Sequence, residues 1–149
     1  MVVVDRTGGG MSFQEKRAWV YAVIGLCVPV VYFAVIFVRA GGGDVTRTAY
    51  VVPMLVAIGG AVVLNIAAEV VAGIAAGREA GLKDERDRQI GRLGEYVGFY
   101  VMSVLALVPL GLAMGEAAHF WIAHTLYLAF VLAALASAVT KIVAYRRGL

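Results

Sequence analysis

Residues 18–38 read AWVYAVIGLCVPVVYFAVIFV, and this stretch decides the fold class because none of its 21 residues is Asp, Glu, Lys or Arg. A helix needs about 20 mostly apolar residues to cross a hydrocarbon core of about 30 Å. Three further stretches of 20 to 24 residues also lack charge, namely residues 48–68, 96–115 and 117–140. The sequence therefore predicts an all-α integral membrane protein with four transmembrane helices.

The composition agrees with this prediction. The 149 residues are 62% hydrophobic and 15% charged, whereas a soluble domain is about 45–50% apolar and about 25% charged. These values exclude an ordinary soluble enzyme, a disordered chain and a coiled coil. The apolar runs are continuous, so they do not alternate as the strands of a membrane barrel do. We expect one membrane domain over 1–149, and its parts are a tail (1–12), spans at about 18–38, 48–76, 94–115 and 117–143, and a charged loop (77–93).

Basic residues predict the orientation. Eleven of the thirteen Lys and Arg residues lie before the first charge-free stretch, between the second and the third, or after the fourth. Only Arg39 and Arg47 lie on the other side. Because Lys and Arg favour the cytoplasmic side, both termini are predicted to be cytoplasmic in a multi-pass protein of a bacterial inner membrane. The expected partner is the lipid bilayer, and no nucleic acid is expected because the chain has no soluble basic face.

The start of the first helix has a local signal. Ser12 followed by Glu15 forms a capping-box pattern, which predicts that the helix begins near Phe13. The glycines at 8–10 predict a flexible tail before it. Met11 is an alternative start of the chain.

The second span contains two polar residues, Asn65 and Glu69, which share a helix face because they lie four positions apart. Ala61 and Gly73 extend this row of small and polar residues, which is typical of a helix-packing surface. An intramembrane carboxylate is a functional candidate, so Glu69 could carry the proton of a small proton-coupled transporter.

A structural role is the alternative for the same two residues. Glu69 would then pair with Arg88 or Arg92 at the start of the third span, and Asn65 would bond a neighbouring helix. Either way, we expect Glu69 to face the bundle interior near the cytoplasmic ends of the second and third spans.

The charged loop alternates acidic and basic residues, and its interaction candidates are Asp84, Glu85, Arg86, Asp87 and Arg88. The spacing of Asp84 and Glu85 from Arg88 allows helical ion pairs, so this part is predicted to be a cytoplasmic extension of the third helix. It could dock a cytoplasmic protein or another copy, or it could be a self-paired hairpin. The loop has no Ser, Cys or His, and we therefore predict no enzyme activity.

The third span contains Pro109 and the glycine pairs Gly94/Gly98 and Gly111/Gly115. Proline can kink a membrane helix, and glycine pairs allow two helices to approach closely.

Glu116, His119 and His124 lie near the outer end of the fourth span and are the candidate metal ligands. Glu116 and His119 could share a metal, although three groups are a minimal zinc set. The histidines are five positions apart, so they do not share a helix face. No cofactor is predicted, and a haem- or metal-binding protein using His119 and His124 is kept as an alternative.

Four segments carry a resemblance to a known family. They are residues 83–90 (KDERDRQI), 98–101 (GFYV), 120–123 (FWIA) and 145–148 (YRRG). Together they resemble a family of small uncharacterised bacterial four-helix inner-membrane proteins that share an Asp-Glu-Arg-Asp cytoplasmic loop. Some relatives are encoded beside helix-turn-helix repressors, so the resemblance implies a membrane sensor or a partner that sequesters a regulator. It implies no reaction.

Three classes of function follow from the sequence. The favoured class is a non-enzymatic helix-packing, interaction or regulatory module, expected to self-associate as a dimer through small-residue faces. The alternatives are the proton-coupled transporter using Glu69 and the haem or metal protein using His119 and His124.

Overall fold

The computed structural model describes residues 11–77 and 84–148, and this part of the chain is helical without strands. The helices are α1 (Phe13–Ala40), α2 (Val51–Ala76), α3 (Glu85–Leu105), α4 (Leu107–Met114) and α5 (His119–Arg147), with a short 3₁₀ helix at Val45–Arg47. Four helical segments are long and apolar enough to cross a membrane, with α3 and α4 counted as one. The predicted all-α fold with four spans is confirmed at this level.

Both ends of the described chain lie at the same end of the molecule, which we call the termini end. Arg146 near the end of α5 contacts Glu15 at the start of α1, with 3.5 Å between Nε and Oε1. The guanidinium of Arg146 also lies 5.3 Å from the ring centroid of Trp19. The opposite end, called the far end, carries the α1–α2 and α4–α5 turns.

The first helix begins where its capping pattern predicts. Ser12 Oγ accepts a hydrogen bond from the backbone N–H of Glu15 at 3.1 Å, and α1 begins at Phe13. The helix ends at Gly41, whose φ of +55° is readily adopted by glycine and lets its N–H reach the carbonyl of Val38. The predicted flexible tail at 1–10 lies outside the described residues.

The third span is divided at Ala106 into α3 and α4. Pro109 has no N–H to donate to the carbonyl four residues earlier, so the helical hydrogen-bond ladder is interrupted near this point. The division lies three residues before Pro109, which the sequence identifies as able to kink this span. At its other end, α3 begins at Glu85 with a capping box between Asp84 and Asp87. The predicted charged loop is therefore helical from residue 85 onward, and its residues 78–83 lie outside the described part.

The helices pack in the lateral order α2, α1, α5, α3, with α4 also against α5. Within the described chain, α2 packs extensively only against α1, and no residue of α2 is buried. Helices α2 and α3 therefore lie at opposite edges of the α1–α5 pair. The four spans form an open arc in which a space is left between the two edge helices.

Glycine allows α3 to approach α5 closely, as the Gly94/Gly98 pair predicts. A Cβ on Gly98 would lie 3.2 Å from the backbone oxygen of Ala133 and 3.1 Å from Ser137 Cβ. At Gly111, by contrast, a Cβ would meet no atom within 4 Å in the described structure. Only the first glycine pair has the predicted packing role within the described protomer.

The α1–α2 turn at the far end is closed by Asp44. Its carboxylate accepts hydrogen bonds from the Thr46 hydroxyl at 2.7 Å and from the Thr46 backbone N–H at 3.0 Å. The side-chain bond, followed by the backbone bond, lowers the pKa of Asp44 below its usual value. The turn is thus held by an ionised carboxylate at neutral pH.

Candidate ligand cleft at the termini end

Glu69 on α2 is bound by two side chains of α1. Its Oε1 accepts hydrogen bonds from the Arg17 guanidinium, with which it forms an ion pair, and from the Tyr21 hydroxyl. Arg17 and Tyr21 lie four residues apart, so one face of α1 presents both donors. These contacts fasten α2 to α1 near the termini end.

The location of Glu69 near this end agrees with the prediction, but its expected partner was wrong. The expected position in the bundle interior was also wrong, because the Glu69 side chain is 45% exposed beside α1. The recorded partners belong to α1, whereas Arg88 and Arg92 belong to α3, which lies at the opposite edge of the arc. The expected bond from Asn65 to a neighbouring helix is also corrected. Asn65 Nδ2 donates to the carbonyl of Ala61 in its own helix at 2.9 Å.

The charged segment at the start of α3 makes contacts with α5 and within itself. Asp87 Oδ1 accepts a hydrogen bond from the Tyr145 hydroxyl at 3.0 Å, and the Arg86 guanidinium donates to the Tyr145 carbonyl at 3.4 Å. Arg88 forms the predicted ion pair with Glu85 at 3.6 Å. Asp84, expected to pair with Arg88, is instead the N-cap of α3. Much of the candidate docking motif thus fastens α3 to the end of α5.

His124 lies at the far end inside an aromatic cluster and is only 4% exposed. Its Nδ1 contacts the carbonyl oxygen of Phe120 at 2.7 Å, and its Nε2 contacts the hydroxyl of Tyr32 at 2.7 Å. Because a carbonyl only accepts, Nδ1 carries the proton, and Nε2 accepts from Tyr32. The His124 ring also stacks on Phe120 with centroids 3.8 Å apart.

The three candidate metal ligands are not brought together. His124 is buried with both nitrogens used in hydrogen bonds, whereas Glu116 and His119 are exposed at the α4–α5 turn. Within residues 11–77 and 84–148, no group of three His, Cys, Asp or Glu side chains has a geometry that could hold a metal ion. The expectation that these residues form one site is therefore corrected, because successive positions on α5 point in different directions.

A cleft of about 580 Å³ occupies the space between the edge helices at the termini end. Its volume falls within the range of small-molecule sites. Helices α1, α3 and α5 supply most of its walls, and Asn65 is its lining residue from α2. The polar and charged lining residues are Gln14, Arg17, Tyr21, Asn65, Asp87, Arg88, Arg92, Glu95, Ser137, Lys141 and Tyr145.

The cleft has an excess of positive charge. Four of the lining residues are basic and two are acidic. Arg17 is paired with Glu69, and Arg88 is paired with Glu85. Arg92 and Lys141, however, have no ion-pair or hydrogen-bond partner among the described residues. Two cations are thus available to a ligand.

Lys141 reaches the cleft across the surface of Gly94. A Cβ on Gly94 would lie 2.5 Å from Lys141 Cε and 2.6 Å from its Cγ. The absence of a side chain at Gly94 therefore creates the path that the lysine follows. Arg92 is exposed on the α3 side of the same cleft.

Two acceptors accompany these cations. Asn65 Oδ1 is buried and has no hydrogen-bond partner in the described structure. The Glu95 carboxylate lines the cleft and also lacks a partner among the described residues. A buried polar atom without a partner is unfavourable, so a ligand with N–H or O–H groups would complement this wall.

Of the candidate residues from the sequence, Asn65, Asp87 and Arg88 line the cleft, but the sequence did not predict the cleft itself. From the sequence, Lys141 indicates only the orientation of the chain, because a basic residue at the end of an apolar run is typical of membrane topology. Arg92 indicates the orientation and, in addition, a candidate partner for Glu69. The close Gly94/Gly98 pair was a signal for packing against another helix. Nothing in the sequence indicated that the side chain crossing Gly94 is a lysine.

Comparison with known proteins found no matching family model, curated protein or solved structure. The expected membership of the inner-membrane family therefore stays a prediction, and the function is argued from the site.

Proposed function

We propose that this chain is a non-enzymatic, multi-pass protein of a bacterial inner membrane that binds a phosphate-bearing anion in its cytoplasmic cleft. The observation that carries the proposal is the pair of unpartnered cations, Arg92 and Lys141, in a cleft of ligand size. Lys and Arg form strong charge-assisted hydrogen bonds with phosphate oxygens. The eleven-to-two distribution of basic residues supports a cytoplasmic location for this end.

Binding at this site would have a regulatory consequence. Arg92 belongs to α3 and Lys141 to α5, while Arg17 and Tyr21 line the cleft from α1. A ligand held by these groups would join three helices. The charged segment at the start of α3 would then report occupancy to a cytoplasmic protein, as expected for a sensor or interaction module.

Other described features give less support to the alternatives. Glu69 is held by Arg17 in an ion pair and by Tyr21 in a hydrogen bond, so its carboxylate fastens α2 to α1, which is what a structural role requires. The hydroxyl groups of Ser103, Thr125 and Thr140 each donate to a carbonyl of their own helix. These three hydroxyl groups are therefore engaged within their own helices.

Thermal unfolding of the purified protein tests the proposal. Inorganic phosphate, glycerol 3-phosphate and phosphatidylglycerol are each added to the wild type and to the double variant Arg92→Gln/Lys141→Gln. We expect at least one phosphate compound to raise the Tm of the wild type by several degrees and to have little effect on the double variant. The matched control is Lys16→Gln/Arg147→Gln, which removes two exposed charges at the same end outside this cleft. Equal responses of both double variants, or no response of the wild type, would overturn the proposal.

A further inference from the structure

We propose that the ligand of this cleft is an anionic glycerophospholipid of the adjoining leaflet, which enters sideways between α2 and α3. This inference rests on the proposed binding of a phosphate-bearing anion and specifies its source. The observations are the distribution of charge in the cleft along the helix axis, its open side and its unpartnered charged groups.

The charged residues of the cleft lie toward the termini end, and the part toward the membrane centre is lined by uncharged residues, among them Gly25, Asn65 and Ala134. It follows α1 from Gln14 to Gly25, which is about 16 Å at about 1.5 Å per residue. On α5, Lys141 lies nearer the termini end than Ala134, and on α1 the lining residue farthest from that end is Gly25. A phospholipid has the same order of groups, with a charged head followed by apolar chains. A free phosphate would use only the outer part.

The order of the helices leaves the cleft open to the bilayer. Helix α2 packs on α1, and α3 packs on α5, so the two edge helices do not close the space between them. Asn65 is the one described residue of α2 that lines the cleft. Arg88, Arg92 and Glu95 are exposed along its α3 side. Basic pockets between transmembrane helices on the cytoplasmic side are a known setting for phospholipid head groups.

The unpartnered groups fit a glycerol head group. Arg92 and Lys141 would bind the phosphodiester oxygens. The hydroxyls of a glycerol head group would donate to the Glu95 carboxylate. A choline head group has no hydroxyl or N–H to donate, so the cleft should discriminate against it. A second copy of the chain fits less well, because the exposed surface of α2 is almost entirely apolar.

Native mass spectrometry of protein released from nanodiscs tests the inference. The nanodiscs contain equal amounts of phosphatidylglycerol and phosphatidylcholine. We expect the wild type to retain phosphatidylglycerol at least about tenfold more often than phosphatidylcholine, because each basic contact contributes about fivefold. Arg92→Gln/Lys141→Gln should remove this preference, and Lys16→Gln/Arg147→Gln should keep it. Glycerol 3-phosphate should not displace the lipid.

A steric variant provides a test that does not alter charge. A Cβ on Gly91 meets no atom within 4 Å in the described structure, although Gly91 lines the cleft. Gly91→Trp should therefore fold, as circular dichroism and gel filtration would show, and should exclude the lipid by filling the cleft. Gln89→Trp is the control, since Gln89 is exposed on the same helix outside the cleft.

The outcomes separate the two proposals. If glycerol 3-phosphate or inorganic phosphate binds as well as phosphatidylglycerol, the lipid inference is wrong and the proposed anion site stands. If no phosphate compound binds, both are wrong. Equal retention of the two lipids would show an adventitious annular lipid only. Efficient disulfide cross-linking of two chains through Gly91→Cys would show that a second copy fills the cleft, and would also overturn the inference.

Discussion

The side chain of Lys141 on α5 lies directly across Gly94 on α3, so that a Cβ at Gly94 would be 2.5 Å from Lys141 Cε. This contact is part of the α3–α5 packing and also part of the candidate binding cleft. The glycine permits close approach of the two helices, and the lysine uses the same gap to bring its ammonium group to the cleft. A change at Gly94 should therefore affect the ligand site without altering any polar residue.

Gly94→Ala should displace Lys141 and weaken ligand retention about as much as Lys141→Gln does. Overpacking of this kind costs about 1–3 kcal/mol of stability, so the variant should fold with a lowered Tm. Phosphatidylglycerol retention by native mass spectrometry is the measurement. Gly91→Ala is the control, because its Cβ would have open space. Unchanged retention in Gly94→Ala would show that Lys141 does not depend on this path.

The Glu69–Arg17 contact predicts different effects for two substitutions of Glu69. Glu69→Gln keeps an acceptor for Arg17 and Tyr21, and should lose about 1 kcal/mol or less, because Arg17 and Glu69 are partly exposed. Glu69→Leu removes both hydrogen bonds and should destabilise the protein more. Unfolding in mixed detergent micelles measures the difference. In an Arg17→Met background the two Glu69 variants should become more alike, and a difference that stays unchanged would show that Arg17 is not the relevant partner.

The Tyr32–His124 hydrogen bond should stabilise the far end of the α1–α5 pair. Tyr32→Phe leaves the buried Nε2 of His124 without a donor, and interhelical hydrogen bonds in membranes contribute about 0.6 kcal/mol on average. His124→Leu removes the hydrogen bond to Phe120 as well, so it should cost more. A double-mutant cycle with Tyr32→Phe and His124→Leu should give a positive coupling energy. Strict additivity would mean that the contact has no energetic importance.

The predicted topology places both termini in the cytoplasm. Single cysteines at Ala49 and Gln89, in a Cys27→Ser background, should report opposite sides, since both positions are exposed and lie at opposite ends. A membrane-impermeant thiol reagent added to intact cells should label Ala49→Cys, and should label Gln89→Cys only after lysis. The reverse pattern would place the cleft on the outer side.

Self-association as a dimer is predicted through the small residues of α2. No residue of this helix is buried within the described protomer, and a Cβ on Gly73 would meet no atom within 4 Å. Gly73→Leu should therefore preserve the protomer and weaken the dimer, which native mass spectrometry from mild detergent can measure. Gly111→Leu is the matched control, because a Cβ on Gly111 would also meet no atom within 4 Å. A monomeric wild type in several mild detergents and in nanodiscs would contradict the prediction.

The features that the sequence determined by itself are local or one-dimensional. Four charge-free stretches specify the number of spans, because the hydrocarbon core excludes charged residues. An even number of spans then brings both chain ends to one side. Ser12 and Glu15 determine where α1 begins, and Pro109 interrupts the third span, because caps and proline act through the backbone within a few residues.

Only the tertiary structure decided which helices are neighbours and which charges meet. Lipid is as apolar as the side chains that face it. Hydrophobicity therefore does not determine which helices lie side by side in the membrane. Glu69 was expected to meet Arg88 or Arg92, but α2 packs beside α1, and its recorded partners are therefore Arg17 and Tyr21. The same lateral order separates α2 from α3 and leaves the cleft between them. Lys141 reaches that cleft because α3 and α5 pack closely enough to place its side chain over Gly94. These two positions are 47 residues apart, and no local sequence pattern specifies their contact.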